Sequence, residues 1–439
     1  MIDTLGSPWL AYALLLLVTA GARLRCGSWF APAAFVGLVW SFFVGASLTV
    51  SDYPVPGRGL WMLVLLIVAV QLGAVIAHEL QPNRISSLAS SPTETLDSLI
   101  VPCRRYGLLC TVAALAGCVY FLYTSLEEFN LPFTWIGVLE VGARWSLLRL
   151  EDALEPWSVR LLITWFHPAG LLGGVLFACS RKRLDRVIAV FTLLPAVAYG
   201  ALTGARAAIV LGLTCWIGGY AATLCVRTHT SLAMFSPKRL VLVLLAAVSM
   251  VYMFASIDAV RDSSWTQAFA PVVNQQKVND YMFGSPAAFA NWYAHAGASD
   301  PEWGYRTFSG EFDLLHLKKR VVGKYTGMSN VVGTAVTNIY TLFRDLIEDF
   351  TVPGATLISI AIGGLAGWTY RLRSSNVRSA LFWLSAFYAL ILFSPIVSLF
   401  SFNGPGLAWV IGWFVVVRTK WRPSLVPLSP LIRHEAAAR

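Results

Sequence analysis

Residues 187–225 read VIAVFTLLPAVAYGALTGARAAIVLGLTCWIGGYAATLC, and Arg206 is the only charged side chain in the stretch. A helix needs about 20 apolar residues to cross a hydrocarbon layer roughly 30 Å thick. The stretch holds two such runs, 187–203 and 207–225, joined through Gly200-Ala201-Leu202-Thr203-Gly204-Ala205-Arg206 with almost no loop. It therefore reads as a helical hairpin that crosses a membrane twice. A guanidinium at the bilayer centre costs roughly 2.5–3.5 kcal/mol. Arg206 belongs at the turn, where it can line a wet cavity or grip an anion.

The same pattern continues on both sides. The chain of 439 residues is 57% hydrophobic and 13% charged, with a mean hydropathy of +0.65. A soluble protein carries about 25% charged residues. Apolar windows predict eleven spans: 6–22, 29–49, 60–80, 106–125, 161–180, 187–203, 207–225, 240–258, 351–370, 380–400 and 405–419. The expected fold is an all-α polytopic membrane protein, a single integral domain over residues 1–439. The first window lacks a small-residue cleavage site near its end, so it is expected to remain as a helix.

Lys/Arg asymmetry orients these spans. Arg23 and Arg25; Arg84, Arg104 and Arg105; Arg181, Lys182, Arg183 and Arg186; Arg227, Lys238 and Arg239; Arg371, Arg373 and Arg378; and Arg418, Lys420, Arg422 and Arg433 fall on alternate loops. That face is expected to be cytoplasmic, with the N-terminus outside. The net charge of +10 is mostly this orienting charge, and no nucleic-acid partner follows from it. The seven cysteines lie at cytoplasmic ends or inside spans, with no CxxC pair, so neither disulfides nor a cysteine metal site is expected.

Two outer segments break the hairpin rhythm, 126–160 and 259–350. The first carries Glu127, Glu128, Arg144, Arg149, Glu151 and Asp152. The second mixes charge with aromatics, including Tyr281, Trp292, Tyr293, Trp303 and Tyr305, and suits short interfacial helices over the mouth of the bundle. The cytoplasmic segment 81–103, rich in Ser and Pro, reads as a plain linker. The outer face gathers Arg58, Arg144, Arg149, Arg160, Arg206, Arg261, Arg306, Arg320 and Arg344, with Lys277, Lys318, Lys319 and Lys324. Arginine offers a planar fork matched to phosphate and carboxylate and stays charged when partly desolvated.

The densest motif is Asn338-Ile339-Tyr340-Thr341-Leu342-Phe343-Arg344-Asp345-Leu346-Ile347-Glu348-Asp349-Phe350. At helical spacing Tyr340, Arg344 and Glu348 share one face, and Thr341, Asp345 and Asp349 share its neighbour. A short helix there offers a cation, a hydroxyl and three carboxylates near the membrane surface. Two further segments, Tyr281–Phe289 and Gly304–Gly310, read as aromatic, glycine-rich loops able to stack a sugar or bend close to a ligand. No Walker loop, GxGxxG, HExxH or Ser-His-Asp pattern occurs in a suitable context.

Together these pieces resemble the O-antigen polymerase (Wzy-type) family, the oligosaccharide repeat unit polymerases of bacterial envelopes. The matching residues are Thr203-Gly204-Ala205-Arg206-Ala207, Phe283-Gly284-Ser285-Pro286, Tyr305-Arg306-Thr307-Phe308-Ser309-Gly310, and above all Asn338 to Arg344 followed by Asp349-Phe350. They cover roughly the second half of the chain. One position departs: Thr351 follows Phe350 where glycine is expected. The resemblance implies a GT-C-like membrane glycosyltransferase in the bacterial inner membrane with its active face periplasmic. Its substrates would be undecaprenyl-diphosphate-linked glycans, its surroundings membrane lipids, and a chain-length regulator protein a further partner. It implies Arg206, Arg344, Asp345, Glu348 and Asp349 as catalytic candidates, and Arg144, Arg261, Tyr281, Arg306, Asn338 and Tyr340 as substrate-binding ones, with no metal or other cofactor.

The same chemistry would serve an O-antigen ligase, which hands the glycan to lipid A-core. A polysaccharide or lipid-linked sugar transporter should instead carry charge deep in several spans and paired broken helices, whereas here the polar mass lies on one face. The orientation is checked by impermeant thiol labelling of spheroplasts. Cysteines introduced in 259–350 should label and those in 371–379 should not; the reverse would put the arginine-rich face inside the cell.

Overall fold

The computed structural model describes residues 6–50, 54–80, 92–148, 156–227, 275–295, 300–319, 329–330, 336–337, 341–402 and 404–418. In chain order the helices are α1 (Pro8–Cys26), α2 (Pro32–Thr49), α3 (Gly57–Leu80), α4 (Pro92–Glu128), α5 (Trp135–Leu148), α6 (Trp157–Ile163), α7 (Phe166–Cys179), α8 (Arg183–Phe191), α9 (Leu194–Thr203), α10 (Arg206–Arg227), α11 (Gln275–His295), α12 (Ser309–Leu314), α13 (Leu342–Leu372), α14 (Val377–Phe393) and α15 (Pro405–Trp413). One antiparallel ladder pairs Ser329–Asn330 with Val336–Thr337. Among the described residues, eight helical stretches are long and apolar enough to cross a membrane, and α14 and Pro405–Arg418 are shorter apolar helices. The protein is thus a helical, multi-pass membrane protein. The expected window 240–258 lies outside the described residues.

Two windows are broken helices. The run 157–179 divides at Thr164–Trp165 into α6 and α7, and 183–203 divides at Thr192–Leu193, just before Pro195, into α8 and α9. Proline lacks the N–H that would continue the ladder, so it suits a helix start. The expected linker 81–103 is corrected at its second half, because α4 begins at Pro92 and is 37 residues long. Pro92 and Glu94 are favourable first-turn residues, and Leu96, Leu99 and Cys103 form a buried stripe. Glu94, Asp97, Arg104 and Arg105 interrupt the apolar window there, which is why hydropathy alone starts the helix too late.

Small residues let the helices meet. A Cβ on Gly363 would stand 1.9 Å from the Val70 carbonyl oxygen, and one on Gly367 2.1 Å from that of Ala74, so α13 and α3 lie backbone to backbone. Such close contact is how helices associate where lipid removes the hydrophobic drive between them. The second block is α10, which packs on α7 and α14, and α14 packs in turn on α13. Trp40 of α2 is fully buried, donates from Nε1 to Ser394 Oγ at 3.1 Å, and lies 5.3 Å from the Phe343 ring.

Polar contacts sort to two ends. At one end Arg25 meets Glu79 at 2.9 Å, Arg371 donates to the His78 carbonyl, Arg378 to Ser98 Oγ at 2.9 Å, and Arg104 meets Asp185 at 3.2 Å. At the other end α5, α11, α12 and the 300–308 turn gather around the starts of α3, α6, α10, α13 and α15. Asn291 of α11 donates to the Pro54 carbonyl at 2.9 Å, and Glu311 of α12 accepts from the Gly406 N–H at 3.0 Å.

Inside α13, Thr351 has φ 60° and ψ 173°, so Leu342–Phe350 is a separate short helix and the span proper follows it. That backbone region is essentially reserved for glycine and strains other residues by about 1–3 kcal/mol. Glycine itself loses about 0.5–1 kcal/mol of chain entropy in folding. Thr351→Gly should therefore stabilise the protein by about 1 kcal/mol, read as a higher thermal midpoint in detergent; a lowered midpoint would mean the turn is not strained.

Candidate functional site

The short helix Leu342–Phe350 has two working faces. Thr341, Asp345 and Asp349 are fully buried. Asp349 Oδ1 accepts from the Arg306 N–H at 2.8 Å and Oδ2 from the Thr307 N–H at 2.6 Å. The carbonyls of Glu348 and Asp349 accept from the N–H groups of Glu302 and Trp303, both at 3.1 Å. Asp345 Oδ2 accepts from the Ser398 N–H at 3.1 Å. This face therefore fixes two turns, 302–307 and 394–398, against the helix. Gly304, at φ 92°, supplies the left-handed backbone that the first turn requires.

The other face carries the charge. Arg344 Nε donates to Glu348 Oε1 at 2.8 Å, one helical turn on, and its guanidinium lies 4.8 Å from the centre of the Trp292 ring. Both side chains are only 12% exposed. Glu348 Oε2 is buried without a hydrogen-bond partner and stands 3.6 Å from Arg306 Nε. Arg306 is gripped by Glu302, from Nε at 2.8 Å and from its terminal nitrogen at 2.5 Å. Two guanidinium groups thus share the carboxylate of Glu348.

Arg206 lies at a second place on the same end. Gly204, at φ 62°, ends α9, and the Ala205 N–H returns to the Gly200 carbonyl at 3.0 Å. The chain turns at once into α10, whose first residue is the half-buried Arg206. A Cβ on Gly204 would touch Ser146 at 3.1 Å, and one on Gly142 the Ala201 carbonyl at 2.8 Å, so α5 lies directly on the hairpin. Arg144, also on α5, is held by Glu140 at 2.7 Å and the Phe129 carbonyl at 3.2 Å. The sequence groups Arg206 with Arg344; in the structure both helices pack on α14, while each arginine has its own setting.

The remaining expectations divide. Arg261, Asn338 and Tyr340 lie outside the described residues. The segment 281–289 is corrected: it is helical, within α11, not a loop. Ser285 to Ala290 are buried there, and a Cβ on Gly59 would stand 2.1 Å from the Ala290 carbonyl, so burial against α3 overrides the loop tendency of Gly284 and Pro286. The place of Tyr281 is accordingly the first half of α11. Trp292 and Tyr305 have cations on their rings, Arg344 at 4.8 Å and Lys318 at 3.4 Å, and the second fills a Tyr305 face expected to meet a sugar.

Three further acidic contacts lie outside the motif. Glu302 with Arg306 has visible i,i+4 spacing. Asp313 reaches Arg160 at 2.5 Å across 153 positions, and Glu311 caps α15 across 95, so no local signal could reveal them. Burial pushes the Glu311 carboxyl above its usual range, opposed by the Gly406 N–H. Among the described residues no three His, Cys, Asp or Glu side chains gather as a metal site. Comparison of the chain with known family models, characterised proteins and solved structures finds no match.

Loss of a buried acceptor strands each donor at roughly 1–3 kcal/mol. Asp349→Ala should therefore lower the thermal midpoint sharply and Asp349→Asn less, since the amide keeps one acceptor. Glu348→Gln should melt nearer the wild type than Asp349→Ala does. Equal melting of Asp349→Ala and wild type would show that the 302–307 turn is held by something else.

Proposed function

We propose that the protein is a membrane glycosyltransferase, a polymerase that joins undecaprenyl-diphosphate-linked oligosaccharide repeat units into an O-antigen or related surface polysaccharide at the periplasmic face of the bacterial inner membrane. The observation that carries the reading is the location of two arginines. Arg206 is the first residue of α10, and Arg344 lies in the first turn of Leu342–Phe350. The helix dipole disfavours a cation there by about 0.3–1 kcal/mol and favours an anion by a similar amount. A guanidinium held at a helix start is thus suited to a phosphate, and the surrounding motif resembles that of the polymerase family.

The reaction breaks the bond between the anomeric carbon of the growing glycan and its diphosphate, whose oxygen keeps the electron pair. A hydroxyl oxygen of the incoming unit's terminal sugar forms the new bond, and its proton passes to a base. Arg206 and Arg344 stabilise the charge that grows on the departing diphosphate. Among the three carboxylates of the motif, Asp345 and Asp349 accept backbone N–H groups, whereas Glu348 keeps one oxygen without a hydrogen bond. Glu348 is the base of this proposal, and the Arg306 guanidinium orients it. Asp349 is a positioning residue, acting through the turn that carries Arg306. Arg144, braced on Glu140 and the Phe129 carbonyl, ties α5 to the end of α4.

The test is reconstitution of the purified protein with lipid-linked repeat units, following chain extension and release of undecaprenyl diphosphate. Wild type should extend chains. Arg206→Ala and Arg344→Ala should remain membrane-inserted and lower kcat more than they raise KM. Arg→Lys at either position should rescue only part of the activity, since it keeps the charge without the fork. Wild-type ladders from both alanine variants at normal expression would remove the two arginines from the chemistry.

A further inference from the structure

A cavity of about 460 Å³ is lined by Trp157 and Arg160 of α6 and by Asp313, His316, Lys318 and Lys319. Arg160, Lys318 and Lys319 are cations, against one carboxylate, Asp313, already paired with Arg160 at 2.5 Å. Arg160 keeps its buried Nε without a hydrogen-bond partner. His316, at φ 56°, closes the turn after α12. Tyr305 fixes the Lys318–Lys319 segment: its hydroxyl donates to the Lys319 carbonyl at 2.8 Å, and Lys318 lies over its ring.

Apolar side chains adjoin the cavity. Trp157, which lines it, is 49% exposed, and Leu315 and Leu317, the chain neighbours of His316 and Lys318, are each 66% exposed. Apolar side chains thus alternate with His316 and Lys318 at the start of the membrane-crossing run Trp157–Cys179. Tryptophan at such a boundary marks headgroup depth, and guanidinium and ammonium groups pair with phosphate. A soluble anion needs no apolar rim; a phosphate carried on a hydrocarbon chain does.

We propose that this cavity binds the phosphate or diphosphate headgroup of a membrane lipid, as an anion site separate from Arg206 and Arg344. Lys318, Lys319 and Arg160 Nε contact the headgroup, and Trp157, Leu315 and Leu317 meet the first part of its chain. One assignment of that lipid rests on the polymerase reading. In that reaction the acceptor also carries a diphosphate, and it keeps that diphosphate while the donor loses its own, so a second lipid-diphosphate site is needed. Lys318 and Lys319, which line the cavity, touch Tyr305 of the turn that carries Arg306.

The experiment measures lipid binding by native mass spectrometry to the full-length protein in neutral detergent, so it needs no chain extension. The probes are farnesyl diphosphate, phosphatidylglycerol and inorganic pyrophosphate. The variants are Lys318→Glu/Lys319→Glu and Lys318→Arg/Lys319→Arg, each also made in an Arg206→Ala/Arg344→Ala background that silences the other arginines. The exposed lysines permit these changes, and gel filtration with circular dichroism checks folding. Charge reversal should weaken binding of at least one phospho-lipid tenfold or more in both backgrounds, and the arginine pair should keep it. Binding within twofold of the parent after charge reversal overturns the site. Tighter binding of farnesyl diphosphate than phosphatidylglycerol assigns the cavity to the lipid carrier, and the reverse order assigns it to ordinary phospholipid. Binding of pyrophosphate alone, with neither lipid held, also overturns the proposal. Should chain extension fail while lipid binding holds, the polymerase reading falls and the site stands.

Discussion

The carboxylate of Asp349 joins the charged end of the molecule together. It is fully buried, and each oxygen receives one backbone N–H, from Arg306 and from Thr307. Hydrogen bonds to a charged acceptor are roughly twice as strong as neutral ones, and two of them from adjacent residues leave the turn little freedom. Three consequences follow along the chain. Arg306 is brought beside Glu348, Glu302 is placed to grip Arg306, and the segment that continues through Tyr305 to Lys319 is set against α6. Remove the carboxylate and the two cationic regions lose their common support.

That joint depends in turn on the break at Thr351. A continuous helix from Leu342 to Leu372 would carry Asp345 and Asp349 on the axis of the span, inside the bundle with α3. The positive-φ residue redirects the chain, so the polar segment is a helix of its own while the glycine-faced part packs against α3. The backbone strain is small beside the several buried hydrogen bonds it permits. α14 completes the arrangement, since it packs on both α10 and α13 and its end presents Ser394 to Trp40.

How much of this was legible follows from the range of each interaction. Apolar runs depend on composition over 15–20 residues, so the helical, multi-pass character could be read directly, whereas the start of α4 and the breaks at 164–165 and 192–193 could not. The Arg344–Glu348 pair was visible because helical spacing alone brings such residues together. The burial of Asp345 and Asp349 was not, because their partners, Ser398 and the 306–307 turn, lie some 40 to 50 positions away. The segment 281–289 misled for the opposite reason: its glycine and proline signal a loop locally, while close packing on Gly59 decides the outcome. Thr351 stood out only against a family pattern, and its dihedral angles account for the glycine expected there.

Each well-placed arginine of this end, Arg160, Arg306 and Arg344, already has a carboxylate in contact: Asp313, Glu302 and Glu348. An arriving anion therefore meets an occupied cation, and its affinity is the difference between two ion pairs instead of the full strength of one. Such a surface behaves as an exchanger. Each protein carboxylate is a tethered competitor at high effective concentration, returning to its arginine as soon as the guest loosens. Capture is weakened and departure is hastened by the same contact, which favours short residence times for whatever these guanidinium groups hold.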